Sequence, residues 1–520
     1  MLQNLSLLLR SQSRRHYAKA AIKVKTIETE NTKPLISCKR TQFNLLQHER
    51  ADAKFGTIPL CSKGWLHSKS KNDHFTLNPT ISSEQRKAEM QNLSEFLATS
   101  QIQMHPQLLE NLQQQLDIKQ LTGIQAQALP VVDANFHTLI AAETGCGKTL
   151  AYLLPILNKT LKQQPSEKGK LRLNTPRILI LTPGRELATQ ISQVAQKLCT
   201  DTELKVKALL GGNTKQLMLN PQFAEVDILV ATLGAVSKLV TTGIYHMDQV
   251  RHVVLDEADT LLDDSFTEKL TYFLRRFPFH KNHVQDPNIV GTQLLLASAT
   301  MPTNTREILQ RVIDVETIRE IVSPNLHHLM PHVTQKFLRM AKADRPANLL
   351  SLVKRDVAKR RPLIVFSNKS ATSDYVSIFL NNSGINCLNL NGDMLMKIRI
   401  GRFEEFQRGE CDVLSTTDVG SRGLDTTRAR HVVNFDFPLH ISDYIHRCGR
   451  IGRVGSLDNS LVTNFISSRR EIDVVQRIEH AARTGGLLPD VNANIKNIIN
   501  KRIIADMKEA GLPVPQEDAF

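Results

Sequence analysis

The chain lacks any stretch approaching the roughly 18 to 20 consecutive apolar residues that a membrane-spanning helix needs, so no membrane span is expected. Its seven cysteines (38, 61, 146, 199, 387, 411 and 448) are scattered. No two form a C-x-x-C pair, and no histidine cluster stands at metal-ligand spacing, which argues against both a disulfide framework and a zinc site. A reducing compartment is the simpler setting. There is no repeat array or long low-complexity run, and acid is missing from the first 27 residues.

What is present describes an ordinary globular protein: 520 residues, 41% hydrophobic and 22% charged, enough for two or three domains with sizeable cores. A formal net charge of +15 favours polyanionic partners, chiefly nucleic acid, although basic matrix and ribosome-associated proteins exist without a specific site. The acid-poor beginning carries Arg10, Arg14, Arg15, Lys19, Lys23 and Lys25, with Leu2, Leu5, Leu8 and Leu9 available to one helical face. That is the pattern of a mitochondrial transit peptide over residues 1–27, with RRHY and AKA as a cleavage junction. A disordered basic tail touching nucleic acid is the alternative.

Residues 28–91 are polar and aperiodic, and read as an irregular extension. From residue 92 short apolar runs (RILILTP, VDILVATL, HVVLDEAD, TQLLLASAT) alternate with amphipathic helices, the signature of a parallel sheet covered on both faces. A polar join spans about Ile318 to Arg345, and the alternation then resumes. Two α/β domains with a cleft between them are implied, over residues 92–325 and 335–485. A short basic extension, 486–520, follows, helix-like from Asn492 to Ala505.

The chemistry begins at AAETGCGKTL. Backbone N–H groups around Gly145 and Gly147 can face phosphate oxygens, Lys148 adds charge, and Thr149 offers a hydroxyl to Mg²⁺. The strict phosphate-loop pattern has a glycine where Ala142 stands, but the flanking strand (TLIAA) and helix (LAYLLPILNKTL) provide the required context. Asp256 and Glu257 close the apolar run HVVL, at the strand ends where ligands bind in such folds. One carboxylate suits Mg²⁺, the other an attacking water; we assign Asp256 and Glu257 in that order.

DEAD after a phosphate loop, then SAT at Ser298 to Thr300, TTDVGSRGLD at Thr416 to Asp425 and YIHRCGRIGRVG at Tyr444 to Gly455, in that order, resemble the DEAD-box ATP-dependent RNA helicases. The resemblance spans about residues 92 to 480. It implies two RecA-like domains that close around ATP and Mg²⁺ on one side and single-stranded or structured RNA on the other. Ala142, Glu143, Thr144, Gly145, Cys146, Gly147, Lys148 and Thr149 would hold the triphosphate, and Gln125 the adenine edge. Arg450 and Arg453 fit the finger arginines. Asp425 would meet the ribose, Gly423 the phosphates, and Ser298, Thr300 and His446 would couple the nucleotide to the RNA.

The implied RNA contacts are Pro183, Gly184, Arg185, Gly212, Thr232, Gly234, Arg399 and Thr417. Several depart from the family pattern: Leu121 and Gly123 replace prolines beside Thr122, Gly184 replaces threonine, Leu233 and Ala235 replace proline and arginine, and Met396 replaces glutamine. Restoring Arg at 235 is expected to add a phosphate contact facing the RNA groove. The basic beginning together with LMPHVTQKFLRM (Leu329 to Met340) is most similar to the family's mitochondrial member linked to large ribosomal subunit assembly. That resemblance implies a matrix location, with the nucleus as alternative, and mitochondrial ribosomal RNA and ribosome assembly intermediates as partners. A nucleotide-gated RNA clamp is the rival from another class; a DNA translocase fits less well.

Overall fold

The computed structural model describes residues 35–46, 58–81, 89–162, 173–212, 214–280, 291–301, 305–418, 426–453, 459–489 and 491. The transit-peptide segment and the helix-like stretch from Asn492 lie outside them. The strands are β1 (Leu35–Cys38), β2 (His74–Asn78), β3 (Gln91–Asn92), β4 (Gln120–Leu121), β5 (His137–Ala141), β6 (Ile178–Thr182), β7 (Val206–Leu209), β8 (Ile228–Thr232) and β9 (His252–Asp256). They continue with β10 (Gln293–Ser298), β11 (Ile318–Val322), β12 (Thr334–Arg339), β13 (Leu363–Ser367), β14 (Cys387–Leu390), β15 (Val413–Thr417), β16 (His431–Asn434) and β17 (Leu461–Ile466). The helices that bear on the site are α1 (Gly123–Asp133), α2 (Lys148–Lys162), α3 (Arg185–Leu198), α4 (Leu233–Thr241), α5 (Met396–Arg408), α6 (Ile441–Cys448) and α7 (Arg469–Thr484).

One sheet has the order β11-β5-β10-β9-β6-β8-β7, and every pairing in it is parallel. Every residue of β5, β6, β8 and β9 is buried, because helices cover both faces; the strands therefore read as continuous apolar runs. The second sheet runs β1-β2-β12-β17-β16-β13-β15-β14. Its portion from β12 to β14 is parallel, while β2 pairs antiparallel with both β12 and β1.

That arrangement corrects two expectations. The stretch read as an irregular extension carries β1 and β2, which precede the first domain in the chain yet pack on the second. Phe75 of β2 stacks on Phe337 of β12 at 4.6 Å between ring centroids. The indole of Trp65, fully buried, donates to Asp73 at 2.9 Å. Glu479 of α7 accepts from the backbone N–H groups of Cys61 and Ser62, each at 2.8 Å. β2 has only two inward apolar residues, too few for a periodic signal; partners more than 250 residues away make it a strand. The polar join likewise supplies a strand to each sheet, β11 to the first and β12 to the second.

Candidate active site

Between β5 and α2 the chain turns through Gly145 (φ +81°) and Gly147 (φ +88°), backbone that L side chains rarely adopt. A Cβ on Gly147 would sit 2.3 Å from Gln125 Nε2. The turn is held from α1: the Thr122 hydroxyl donates to the Cys146 carbonyl at 2.8 Å, and Gln125 Nε2 donates to the Gly147 carbonyl at 3.1 Å. Gln125 Oε1 accepts from Thr122 N–H at 2.9 Å, half of a capping box. Both polar atoms of Gln125 thus face the chain here, at the base of the loop. Lys148 Nζ donates to the carbonyls of Ala142 and Glu143 at 2.6 and 2.8 Å, placing its ammonium inside the turn. The N-terminus of α2 opens on the same space, so backbone N–H groups, the helix dipole and a cation converge.

Asp256 ends β9, and Glu257 follows in left-handed backbone (φ +50°). The Asp256 carboxylate is pinned on both oxygens. Oδ1 accepts from Glu257 N–H at 2.8 Å, and Oδ2 accepts from the hydroxyl of Tyr152 at 2.7 Å. Burial pushes Asp256 up to about 6, although these two donors act in the opposite sense. Tyr152, fully buried on α2, was not singled out from the sequence; its spacing of three from Thr149 on a helix was the available signal.

The next carboxylate links the domains. Asp259 Oδ2 accepts from Thr300 N–H at 3.0 Å and from its hydroxyl at 2.6 Å, and lies 3.6 Å from Nε2 of His446 on α6. The Ser298 hydroxyl donates to the Thr300 carbonyl. Burial opposes charge on both Asp259 and His446, but their mutual contact outweighs it: Asp259 is held well below the usual carboxylate range and His446 is raised.

Past α6 the second domain meets the phosphate loop itself. A Cβ on Gly449 would fall 1.4 Å from the Thr144 hydroxyl oxygen, and one on Gly145 would fall 2.4 Å from Arg453 Cγ. Arg453 Nε donates to the Gly449 carbonyl at 2.9 Å, and the buried Arg450 donates to the His446 carbonyl at 3.2 Å. Arg447 is another residue the sequence reading passed over. It is 1% exposed and grips both Asp418 oxygens at 2.6 Å, bracing α6 against the strand ends. Gly423 and Asp425 lie outside the described residues.

The residues expected to face RNA divide. Pro183 and Gly184 lead into α3, with Gly184 as its N-cap, and Thr232 caps α4. The Arg185 guanidinium lies beside Gly211 and Gly212, the latter at φ +105°. A Cβ on Gly234 would meet nothing within 4 Å, so that backbone is open. Thr417 is buried at the end of β15. Arg399 on α5 lies instead against Glu186 on α3, 2.8 Å apart with both side chains under 10% exposed, a bridge between domains. The expectation for position 235 is overturned: Ala235 is 1% exposed in a core with Leu233, Val236 and Leu239, so a side chain there points inward rather than at RNA.

The DEAD/DEAH box helicase family matches residues 122–308, and the helicase conserved C-terminal domain matches 344–455. The chain is 37% identical over 474 residues to the Homo sapiens protein described as "Probable ATP-dependent RNA helicase DDX28", covering 89% of this chain and 86% of that one. It is 33% identical to the ATP-dependent RNA helicase RhlB of Actinobacillus succinogenes, over 69% of this chain and 82% of the relative. In fold it resembles S. cerevisiae Dbp5 bound to RNA and ADP BeF3 (TM-score 0.61, 24% identity, 76% of this chain and 94% of that chain). Mss116p bound to ssRNA and AMP-PNP is similar as well (TM-score 0.62, 20% identity, 83% and 88%).

Proposed function

This chain belongs to the DEAD-box ATP-dependent RNA helicases, and from that premise we propose that it couples RNA-stimulated ATP hydrolysis to local RNA strand separation or ribonucleoprotein remodelling. The observation that carries the reading is the apposition of the second domain on the phosphate loop, Gly449 on Thr144 and Arg453 on Gly145, with Thr300, Asp259 and His446 running between the domains. Residues 92–325 form the ATP-binding domain and 335–485 the second helicase domain.

The residues present fit Mg²⁺ with ATP. A buried carboxylate on Asp256 and the Thr149 hydroxyl are hard oxygen donors, too few to cage a cation alone, and Mg²⁺ characteristically takes its other ligands from water and phosphate. Bound there, Mg²⁺ neutralises charge on the phosphates. Lys148 and the backbone of residues 142–149 hold the triphosphate, Glu257 orients the attacking water, and Arg450 and Arg453 stabilise charge that develops in the transition state. Pro183, Gly184, Arg185, Gly212, Thr232, Gly234 and Thr417 line the RNA path, chiefly as phosphate contacts that carry no base specificity. Arg399 supports that path through Glu186. Gln125 keeps a second N–H and a second lone pair beyond its bonds to Gly147 and Thr122, and reads the adenine edge with them.

The acid-poor, Arg-rich beginning supports import into the mitochondrial matrix, and the similarity at residues 329–340 supports a part in large ribosomal subunit assembly on mitochondrial ribosomal RNA. A nucleotide-gated clamp with little unwinding is the second reading, favoured by Gly184, Leu233 and the inward-facing Ala235. Two variants separate the assigned roles. Lys148→Ala is expected to lose ATP affinity, whereas Glu257→Gln keeps ATP and RNA bound while turnover falls about 100-fold or more. Undiminished turnover in Glu257→Gln overturns the assignment, and wild-type hydrolysis without separation of a short duplex selects the clamp. Amino-terminal sequencing of the mature protein tests import; a chain still beginning at Met1 in the cytosol rejects it.

A further inference from the structure

We propose that Tyr152 is a positioning residue of the ATP site, its phenol holding Asp256 in the arrangement that metal-bound nucleotide requires. The inference rests on the reading above, in which Asp256 faces the metal. Its own basis is geometric. Tyr152 is fully buried on α2, one helical turn beyond Thr149 and directly beneath the end of β9. Its hydroxyl donates to Asp256 Oδ2 at 2.7 Å.

A phenol has one proton, and an ionised carboxylate only accepts, so the phenol proton goes to Asp256. Asp256, held at Oδ2 by Tyr152 and at Oδ1 by Glu257 N–H, cannot rotate about its terminal torsion without breaking one bond. Nothing else in the assigned mechanism uses the Tyr152 hydroxyl, and a phenol placed only to fill the core would leave a buried donor to satisfy. The arrangement is that of a group behind a ligand that orients it.

Tyr152→Phe removes one oxygen and conserves the packing, so the domain should fold. The test measures binding of a fluorescent ATP analogue to the full chain, in Mg²⁺ and in EDTA, alongside thermal melting. In Mg²⁺ the variant is expected to bind about tenfold more weakly than wild type, the scale of losses at groups that orient metal ligands, with the half-saturating Mg²⁺ concentration raised in proportion. In EDTA the two should bind alike. Equal losses in Mg²⁺ and EDTA would mean that the hydroxyl only supports the fold, and no loss in either would mean that it does nothing for the site; each overturns the proposal. Asp256→Asn runs in parallel. If it keeps full Mg²⁺ dependence, the assignment of Asp256 to the metal falls and the proposal with it. If Asp256→Asn loses that dependence while Tyr152→Phe keeps it, the role of Tyr152 alone is rejected.

Discussion

Gly449 has no room for a side chain, because a Cβ there would lie 2.5 Å from Thr144 Cβ as well as overlapping its hydroxyl. Gly449→Ala is therefore expected to hold the domains apart and to cut RNA-stimulated ATPase activity at least about tenfold, a loss of roughly 1.4 kcal/mol of transition-state stabilisation. Melting should be unchanged, since the contact is made between folded domains. Wild-type activity in that variant would mean that closure takes another geometry. Position 235 carries the opposite lesson. Ala235→Arg is expected to destabilise the first domain by about 1–3 kcal/mol through overpacking, read as a lower urea midpoint, and not to tighten RNA binding.

His446 and Asp259 give a residue-scale pH dependence. Take as reference the open form, in which His446 has left Asp259 and the Thr300 and Thr260 donors stay with the carboxylate. His446 is raised on closure, so its contribution is complete below its ordinary pKa of about 6.5 and is lost as pH rises through the raised value. Asp259 is depressed, so its contribution is present at neutral pH and is lost only in strong acid. Closure, followed by fluorescence transfer between labelled domains, should weaken on the alkaline side, and His446→Asn should flatten that limb. An unchanged alkaline limb in His446→Asn would assign it to another group.

Among the elements, β1, β2 and the segment around Trp65 act as a brace on the second domain. β2 covers the edge that β12 would otherwise present, and an uncovered edge strand invites pairing with other chains. Trp65 is fully buried and anchors the segment through Asp73. Trp65→Ala should lower the stability of the second domain by about 3–5 kcal/mol, measured by urea unfolding. The first domain, with a separate core, should unfold as before. A matched loss in both domains would show that they unfold as one unit.

For the whole molecule, the Arg399–Glu186 pair joins α5 of the second domain to α3 of the first. Burial raises Glu186 despite the guanidinium beside it, so desolvation offsets much of the Coulomb gain. The pair therefore contributes more to the register of closure than to its strength. Arg399→Ala is expected to reduce the ATP-dependent gain in RNA affinity about tenfold, close to 1.4 kcal/mol of coupling. The exchanged pair Glu186→Arg with Arg399→Glu should recover part of that gain. RNA affinity that falls equally with and without nucleotide would instead make Arg399 a plain RNA contact.

The amino-acid sequence alone determined the two-domain α/β architecture and the nucleotide chemistry. Buried parallel strands must be continuous apolar runs, and the phosphate turn, Lys148, Thr149, Asp256 and Glu257 stand in short contiguous segments at strand ends. Tertiary structure decided what depends on distant partners. β2 is a strand because Phe337 and β12 lie beside it, Arg399 bridges domains because closure brings it to Glu186, and Ala235 faces inward because α4 turns that side to the core. Tyr152 belongs with these. Its helix was legible, but that its hydroxyl meets Asp256 follows only from the packing of α2 beneath β9, since one-dimensional spacing records which residues share an element and not what lies across from them.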